Sequence, residues 1–469
     1  MKDLASASLS HDPVHGYIPF VARVDHPDGE VAERQIIDHP WVQRLRQIHQ
    51  LQTAWWVYPT AEHTRFQHVV GAMHLASRAV GSLFDSLREV CPDVPSRGYV
   101  ESLMRMAALL HDVGHGPFGH FFDEHFLRQF GLTHETLGAK IICDELGDLL
   151  RGVRRNPNSR LEPGETLDPA QMAYLISRPQ AADGDAAPRW LTMLRSLFCG
   201  IYTVDNMDFV LRDAFMSGYS AQAFDLDRLL RYSFFSERGL TIHGRGMNAL
   251  VRFILVRGEL FRAIYFHRTV RAIDLTLSEL FAESRDALFP GNPLEHLEAY
   301  RGFTEWSLLV DVSRWNRSER PLERSLGPRW QEFLQRKVAW KTICERNLVF
   351  SAGDAEAGSI FSDADSVEQR IRKLLPPALA GMPLRVDLPH HIHRPNTRAA
   401  TAGQNFLYYP LQDKIRPLTD DQIFRQLPVA GRTCRIYARP DLDDATAAMV
   451  SNILDELIGA TGVDDLTNM

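Results

Sequence analysis

From Gln35 to about Ala282 the apolar residues recur mainly at intervals of three and four, the spacing of a helix that buries one face. Between His63 and Leu87 this rhythm runs through Phe66, Val70, Met73, Ala76 and Val80, and between Tyr99 and Leu110 through Leu103, Met106, Ala107 and Leu110. Both segments predict amphipathic or buried helices. Thr203 to Phe215 and Met247 to Phe281 predict two more, the second tolerating Gly258 in its interior. No strand–helix–strand alternation breaks the run, so a mainly α fold with a helical bundle core is expected. Arg151 to Ala170 and Ser177 to Pro188 are rich in Pro, Gly, Asn and charge and predict surface loops or an insertion. Ser351 to Asp365 reads as a linker. Beyond it Pro383 to Leu388, Gln404 to Tyr409 and Thr433 to Ala438 predict short strands, and Leu442 to Gly459 a closing helix. The expected organisation is a core over 1–350, with its chemistry-bearing helices over about 35–282, a linker over 351–380, and a small C-terminal α+β lobe over 381–469.

Composition narrows the class. With 469 residues, 45% hydrophobic and 24% charged, the chain is long enough for a large core and has an ordinary globular balance. No apolar run approaches the ~18 residues of a membrane-spanning helix, and Met1 to Ser10 lacks the apolar stretch of a secretory signal. The five cysteines, Cys91, Cys143, Cys199, Cys344 and Cys434, are scattered and form no Cys-x-x-Cys pair. They read as reduced residues of a cytoplasmic protein, with no membrane association expected. A net charge of −7 argues against a protein that coats nucleic acid. It leaves room for a local cationic pocket that takes a small anion.

The densest chemistry lies in Leu109-Leu110-His111-Asp112-Val113-Gly114-His115-Gly116-Pro117-Phe118-Gly119-His120. An imidazole beside a carboxylate at the end of an apolar helix offers one nitrogen and one oxygen to a divalent cation. Gly114 and Gly116 allow a tight exit that folds His115 and His120 back over the pair. Three His and an Asp within ten residues are costly to bury without a ligand. Two further helices offer partners. His68 follows Thr64-Arg65-Phe66-Gln67, and Asp205 opens Val204-Asp205-Asn206-Met207-Asp208-Phe209-Val210-Leu211-Arg212-Asp213. Each has a plainer reading when taken alone. His68 would be a satisfied core histidine, Asp205 a helix N-cap, and Asp208 with Arg212 a helical ion pair at i,i+4.

The order His68, His111-Asp112, Asp205 resembles the H…HD…D pattern of the HD-domain metal-dependent phosphohydrolases. Asp12-Pro13-Val14-His15-Gly16, Gln43-Arg44-Leu45-Arg46, Gln50-Leu51, His63-Thr64-Arg65-Phe66, His111 to Phe118 and Tyr265-Phe266-His267 resemble, more narrowly, the deoxynucleoside triphosphate triphosphohydrolases of the SAM-and-HD-domain type. No SAM domain is visible. The resemblance covers most of the chain and extends loosely to Cys434-Arg435-Ile436-Tyr437. It implies an HD-domain helical bundle with His68, His111, Asp112 and Asp205 holding Mn, Fe, Zn, Co or Ni, and with Mg accompanying the nucleotide. It further implies that His120 and Asp123 assist proton transfer while His115 and His134 line the phosphates. Arg65 and Arg257 would clamp phosphate, a task suited to the guanidinium fork. Gln50 and Asp213 would hold the 3′-hydroxyl, Tyr265 would contact sugar or base, and Leu51 would disfavour ribose. Asp38, Gln43 and Arg46 match residues that read an activating nucleotide between subunits, so a homo-oligomer, dimer or tetramer, is expected.

Three positions depart from that pattern. Asn206 stands where a phosphate-binding Lys is expected, Phe209 where a Tyr reaches phosphate, and Phe261 where a polar residue lines the base pocket. The first expectation is hydrolysis of a dNTP to deoxynucleoside and tripolyphosphate. The alternatives are an HD phosphatase, phosphodiesterase or nuclease acting on nucleoside monophosphates, cyclic nucleotides or single-stranded nucleic acid, and a nucleotide-sensing scaffold without turnover.

Overall fold

A computed structural model describes residues 7–24, 29–177, 187–350, 360–392, 405–427 and 430–467. The fold is mainly α, with a C-terminal α+β region. Its described residues group into two compact units, one drawn from 1–256, 285–311 and 397–424, the other from 257–284, 312–396 and 425–469.

The first unit opens on an antiparallel hairpin, β1 (Ala7–Asp12) and β2 (Gly16–Val21), in register Asp12↔Gly16 to Ala7↔Val21. Its turn is made by Asp12, whose Oδ1 accepts the N–H groups of Val14 and His15, both at 2.9 Å. Five helices follow that matter for the site: α1 (Arg65–Val90), α2 (Arg97–Leu110), α3 (His120–His125), α4 (His134–Lys140) and α5 (Val204–Met216). The first starts where Gln67 Oε1 accepts the N–H of Thr64 at 2.7 Å, one half of a capping box. It buries Phe66, Val69, Met73, Ala76, Val80 and Leu83, and packs on α2 and α5. Every residue of α2 after Arg97 is buried, so its two charged residues need partners inside. Arg105 Nε and Nη2 donate to Glu33 at 2.6 and 2.8 Å, and Glu101 accepts from Ser77 and Asn158.

That requirement alters the segment over 151–170, which composition predicted on the surface. Arg155 and Asn156 are buried there, and Asn156 Nδ2 donates to the Gly98 carbonyl at 3.3 Å and to Ser102 Oγ at 3.0 Å. The second expected loop falls mostly on residues 178–186, which lie outside the described residues, as do 351–359 of the expected linker. Met247 to Phe281 is not one helix. A helix over Met247–Leu260 passes without a break at Gly258 into a π turn at Phe261–Tyr265, and a new helix spans Arg268–Leu288. The new start is marked by His267, whose Nδ1 accepts the Thr269 N–H at 3.3 Å. A four-stranded sheet completes this unit: Ser233–Ser236 and Gly239–His243 form a hairpin, Phe406–Tyr409 joins it in parallel, and Lys414–Pro417 closes it.

In the second unit Ala430–Ala438 is the central strand, antiparallel to Lys341–Phe350, Leu384–Asp387 and His390–Ile392. The helices Ala364–Leu374 and Asp444–Thr467 supply Val367, Ile371, Val450 and Leu454, which close with Leu384 and Ile436 into one apolar core. All five cysteines are free thiols. Among the described residues no helix is long and apolar enough to cross a membrane.

Candidate metal centre

Three helix ends converge in the first unit. His68 lies in the first turn of α1, His111 and Asp112 directly follow α2, and Asp205 lies in the first turn of α5. His68, His111 and Asp112 form one tight group whose donor atoms lie within 4.8 Å of one another. Asp205 stands against its two imidazoles, with Oδ1 3.1 Å from His68 Nε2 and 3.7 Å from His111 Nε2. Asp205 is not the cap of its helix. That role belongs to Thr203, whose Oγ1 accepts the Asn206 N–H at 3.0 Å, and the Asp205 carboxylate is left to the site.

The outer nitrogens decide how the imidazoles face the centre. His111 Nδ1 donates to the Ala108 carbonyl at 2.8 Å, and His68 Nδ1 donates to Asp208 Oδ2 at 2.8 Å. Both rings therefore turn an Nε2 lone pair inward, and those two atoms are 3.3 Å apart. Two lone pairs at that distance repel unless a cation or proton lies between them. Donors about 2.1 Å from a shared ion at tetrahedral angles stand about 3.4 Å apart. The 3.1 to 3.7 Å separations of the His68, His111 and Asp205 atoms, and the 3.3 Å from His111 Nε2 to Asp112 Oδ1, fit such an ion. Burial opposes charge on His68, but its bonds to Asp205 and Asp208 outweigh that and raise it to about 10. Burial would likewise raise Asp112, yet His111 and Arg65 hold its carboxyl well below the usual range. Two nitrogens and two carboxylates make a set suited to a divalent transition ion.

Next to it lies a second group, His115, His120, Asp123 and His134. Its backbone is set by Arg44, a buried guanidinium whose Nη1 donates to the carbonyls of Val113 and His115 at 3.2 and 2.7 Å, and by Tyr300, whose hydroxyl donates to the Gly114 carbonyl at 2.7 Å. His115 is wholly buried and stacks on His134, ring centroids 3.7 Å apart. Its Nε2 is 3.4 Å from Asp112 Oδ1 and its Nδ1 3.8 Å from Asp123 Oδ1. Burial and then the charge of Arg65 keep it neutral by pushing its pKa well below 6.5. Asp123 binds His134 Nδ1 by a short hydrogen bond and stands 3.5 Å from His120 Nδ1. Burial would raise Asp123, but His115, His120 and His134 hold it strongly ionised. His120 is two-thirds exposed, at the mouth of a cavity of about 560 Å³ shared with Asp123, Arg128, Thr133 and His134.

The residues expected to hold substrate divide between the units. Arg65 is buried beside the metal group, with Nη1 donating to Asp112 Oδ2 at 2.7 Å and Nε without a hydrogen-bond partner among the described residues. Gly119, at φ 58°, makes this possible, since a Cβ there would lie 2.2 Å from Arg65 Nη2. Gln50 bonds through its N–H to the His63 carbonyl at 3.0 Å, while His63 Nε2 bonds Asp213 Oδ1 at 2.7 Å. Leu51 is buried. Arg257 and Tyr265 belong to the second unit, Arg257 in the helix over Met247–Leu260 and Tyr265 in the π turn against Phe261. Asp38, Gln43 and Arg46 lie on one stretch of the surface. Arg46 Nε donates to Gln43 Oε1 at 2.8 Å, its guanidinium covers the Phe66 ring, and Asp38 accepts from Arg34. The sequence reading had no place for Arg44 or His63 in the site, and it took Asp208 for a simple helical partner of Arg212. The one available signal was an Asp three residues beyond Asp205, on a helix that also buries Arg212 and Asp213 among Val204, Met207, Val210 and Ala214.

Residues 65–177 match the HD domain family. The chain is 29% identical over 303 residues to the uncharacterized protein YwfO of Bacillus subtilis, covering 62% of this chain and 59% of that one. It is 25% identical over 378 residues to the deoxynucleoside triphosphate triphosphohydrolase SAMHD1 homolog of Dictyostelium discoideum, covering 79% and 65%. The chain thus spans less than two thirds of the length of either relative. A crystal structure of a hypothetical protein from Aquifex aeolicus shares the fold with a TM-score of 0.66 at 21% identity, over 96% of this chain and all of that one. Residues 65–177 are therefore an HD domain, in a chain similar to the deoxynucleoside triphosphate triphosphohydrolases of the SAM-and-HD-domain type.

Proposed function

We propose that the chain is a metal-dependent phosphohydrolase that splits a dNTP into deoxynucleoside and tripolyphosphate. The observation that carries this reading is the set of inward-facing donors on His68, His111, Asp112 and Asp205, with the group of His115, His120, Asp123 and His134 beside it. A bound divalent ion would supply Lewis-acid chemistry, acidifying a water and polarising a phosphorus–oxygen bond. The protein's own groups do the rest. Arg65 offers its spare N–H groups to a phosphate while its bond to Asp112 keeps that carboxylate aimed at the centre. Asp123, ionised, orients His134 and the exposed His120, and His120 delivers a proton to the leaving sugar oxygen. Gln50 and Asp213 hold the 3′-hydroxyl, and Leu51 closes the space a 2′-hydroxyl would need. Asp38, Gln43 and Arg46 form the place where an activating nucleotide binds between copies of the chain.

A second reading keeps the chemistry and changes the substrate to a monophosphate, a cyclic nucleotide or a single strand. Asn206 and Phe209 motivate it, because each removes a phosphate contact. A hydrogen bond to a charged group is worth about 1.5–3 kcal/mol. Purified protein with Mn²⁺ and each class of substrate, its products resolved by chromatography, separates the two. Tripolyphosphate from a dNTP is the expected product. Release of nucleoside or inorganic phosphate from monophosphates alone would refute the first reading.

A further inference from the structure

The N-terminal hairpin carries a motif, Asp12-Pro13-Val14-His15-Gly16, for which the proposed chemistry has no use. The side chains of Asp12 and His15 do not face solvent. His15 Nε2 lies 2.7 Å from Asp208 Oδ1, and Asp12 Oδ2 accepts from Arg212 Nη1 at 2.8 Å. Arg212 in turn grips both oxygens of Asp208, with Nε on Oδ2 and Nη2 on Oδ1, each at 2.9 Å. Asp208 is the residue that accepts the Nδ1 proton of His68. All of these side chains are nearly or wholly buried. Burial would raise Asp208, but Arg212, His15 and His68 keep it well below the usual carboxylate range, so it accepts from all three.

A second observation shows that room is kept for this arrangement. Gly71, one turn beyond His68 on α1, has Asp208 Oδ1 and Arg212 Nη2 so close that a Cβ would lie 2.0 and 2.2 Å from them. A glycine inside a helix costs about 1 kcal/mol relative to Ala. Here it lets the ion-paired side chains press against the helix backbone beside the metal ligand.

We propose that Asp12, His15 and Arg212 are positioning residues for the metal centre, fixing Asp208 so that His68 is locked with its proton on Nδ1 and its Nε2 lone pair toward the ion. The inference rests on the metal reading of His68, His111, Asp112 and Asp205. It makes the N-terminal hairpin part of the metal site, although none of its atoms is a ligand. The bonds run His15 Nε2–H to Asp208, Arg212 to Asp208 and Asp12, and Asp208 to His68 Nδ1–H. Partners of this kind typically contribute 10- to 100-fold to metal affinity.

The test is a Co²⁺ titration of the full chain, freed of metal, followed by its visible absorption and by calorimetry. His15→Ala should weaken Co²⁺ binding about 10- to 100-fold. His15→Gln, which can present a side-chain N–H to Asp208, should recover most of the loss. Asp12→Asn, which can still accept the Val14 and His15 N–H groups but no longer accepts from Arg212, should give a smaller weakening in the same direction. A residue that served only to fold the hairpin would lower the melting temperature of the metal-free chain and leave the Co²⁺ Kd alone. A folded His15→Ala chain with wild-type Kd therefore overturns the proposal. If that variant does not fold, a wild-type Kd in Asp12→Asn overturns it equally. Asp112→Ala separates this from the reading beneath it. Wild type that binds Co²⁺ and loses it in Asp112→Ala upholds the metal centre whatever His15 does, and wild type that binds none refutes both.

Discussion

Asp112 meets three demands with two oxygens. Oδ2 takes the Arg65 guanidinium, and Oδ1 faces His111 and His115 at 3.3 and 3.4 Å. Arg65 reaches it only because position 119 lacks a Cβ and tolerates a positive φ. Gly119→Ala should therefore push Arg65 aside. Loss of one charge-assisted contact of about 1.5–3 kcal/mol corresponds to a roughly 10- to 150-fold fall in kcat/KM. Metal affinity should fall with it, because the Arg65 bond aims Asp112 at the centre, which activity assays paired with metal titration would check. His111, Asp112 and the residues up to His120 were legible because they are neighbours in the chain, and a run of His among Gly after an apolar helix has few plain explanations. Asp208 was not legible. Its decisive partner His15 is 193 residues away, and at i,i+4 from Arg212 it satisfies an ordinary local rule.

At the scale of elements, the helices were read from a three-and-four spacing that does not depend on which face is buried, so even α2, buried almost throughout, kept its signature. The strand over Lys341–Phe350 was missed because Glu345, Arg346 and Asn347 interrupt its apolar residues, and only pairing with Ala430–Ala438 makes it a strand. The break after Tyr265 was missed because no Gly or Pro marks it. Two stability predictions belong here. Glu33 accepts from Arg105 twice and from the Val21 N–H at 2.9 Å, fully buried, so Glu33→Ala strands a buried guanidinium. The expected loss is about 3–5 kcal/mol, measured by denaturant unfolding. His74 on α1 is the second. Burial, then the neighbouring His15, Arg78 and Arg105, push its pKa down to about 4 from 6.5. The unfolded chain takes up a proton below pH 6.5 that the folded chain refuses until about pH 4. His74 therefore contributes stability above pH 6.5 that is lost as the pH falls between these values. His74→Gln should flatten that part of the unfolding profile, and an unchanged slope would contradict the assignment.

For the whole molecule, the centre joins α1 and α2 to α5, far along the chain, so an ion there would add to the packing and the His68–Asp208 bond that hold them together. A ligand bound to the folded state alone adds stability by mass action, about 4 kcal/mol at a thousandfold excess over Kd. Chelation should accordingly lower the melting temperature, and Mn²⁺ should restore it. That the chain would hold a helical core with a His/Asp cluster able to take a metal, and an α+β region, was legible from periodicity and motif order. The placement of Phe406–Tyr409 beside Gly239–His243 was not, since parallel pairing across such a separation leaves no local trace. The account stands most directly on Asp112→Ala, with bound metal and tripolyphosphate release from a dNTP measured on the same folded preparation. Loss of both together is the predicted result, and turnover at the wild-type rate without bound metal would contradict the account.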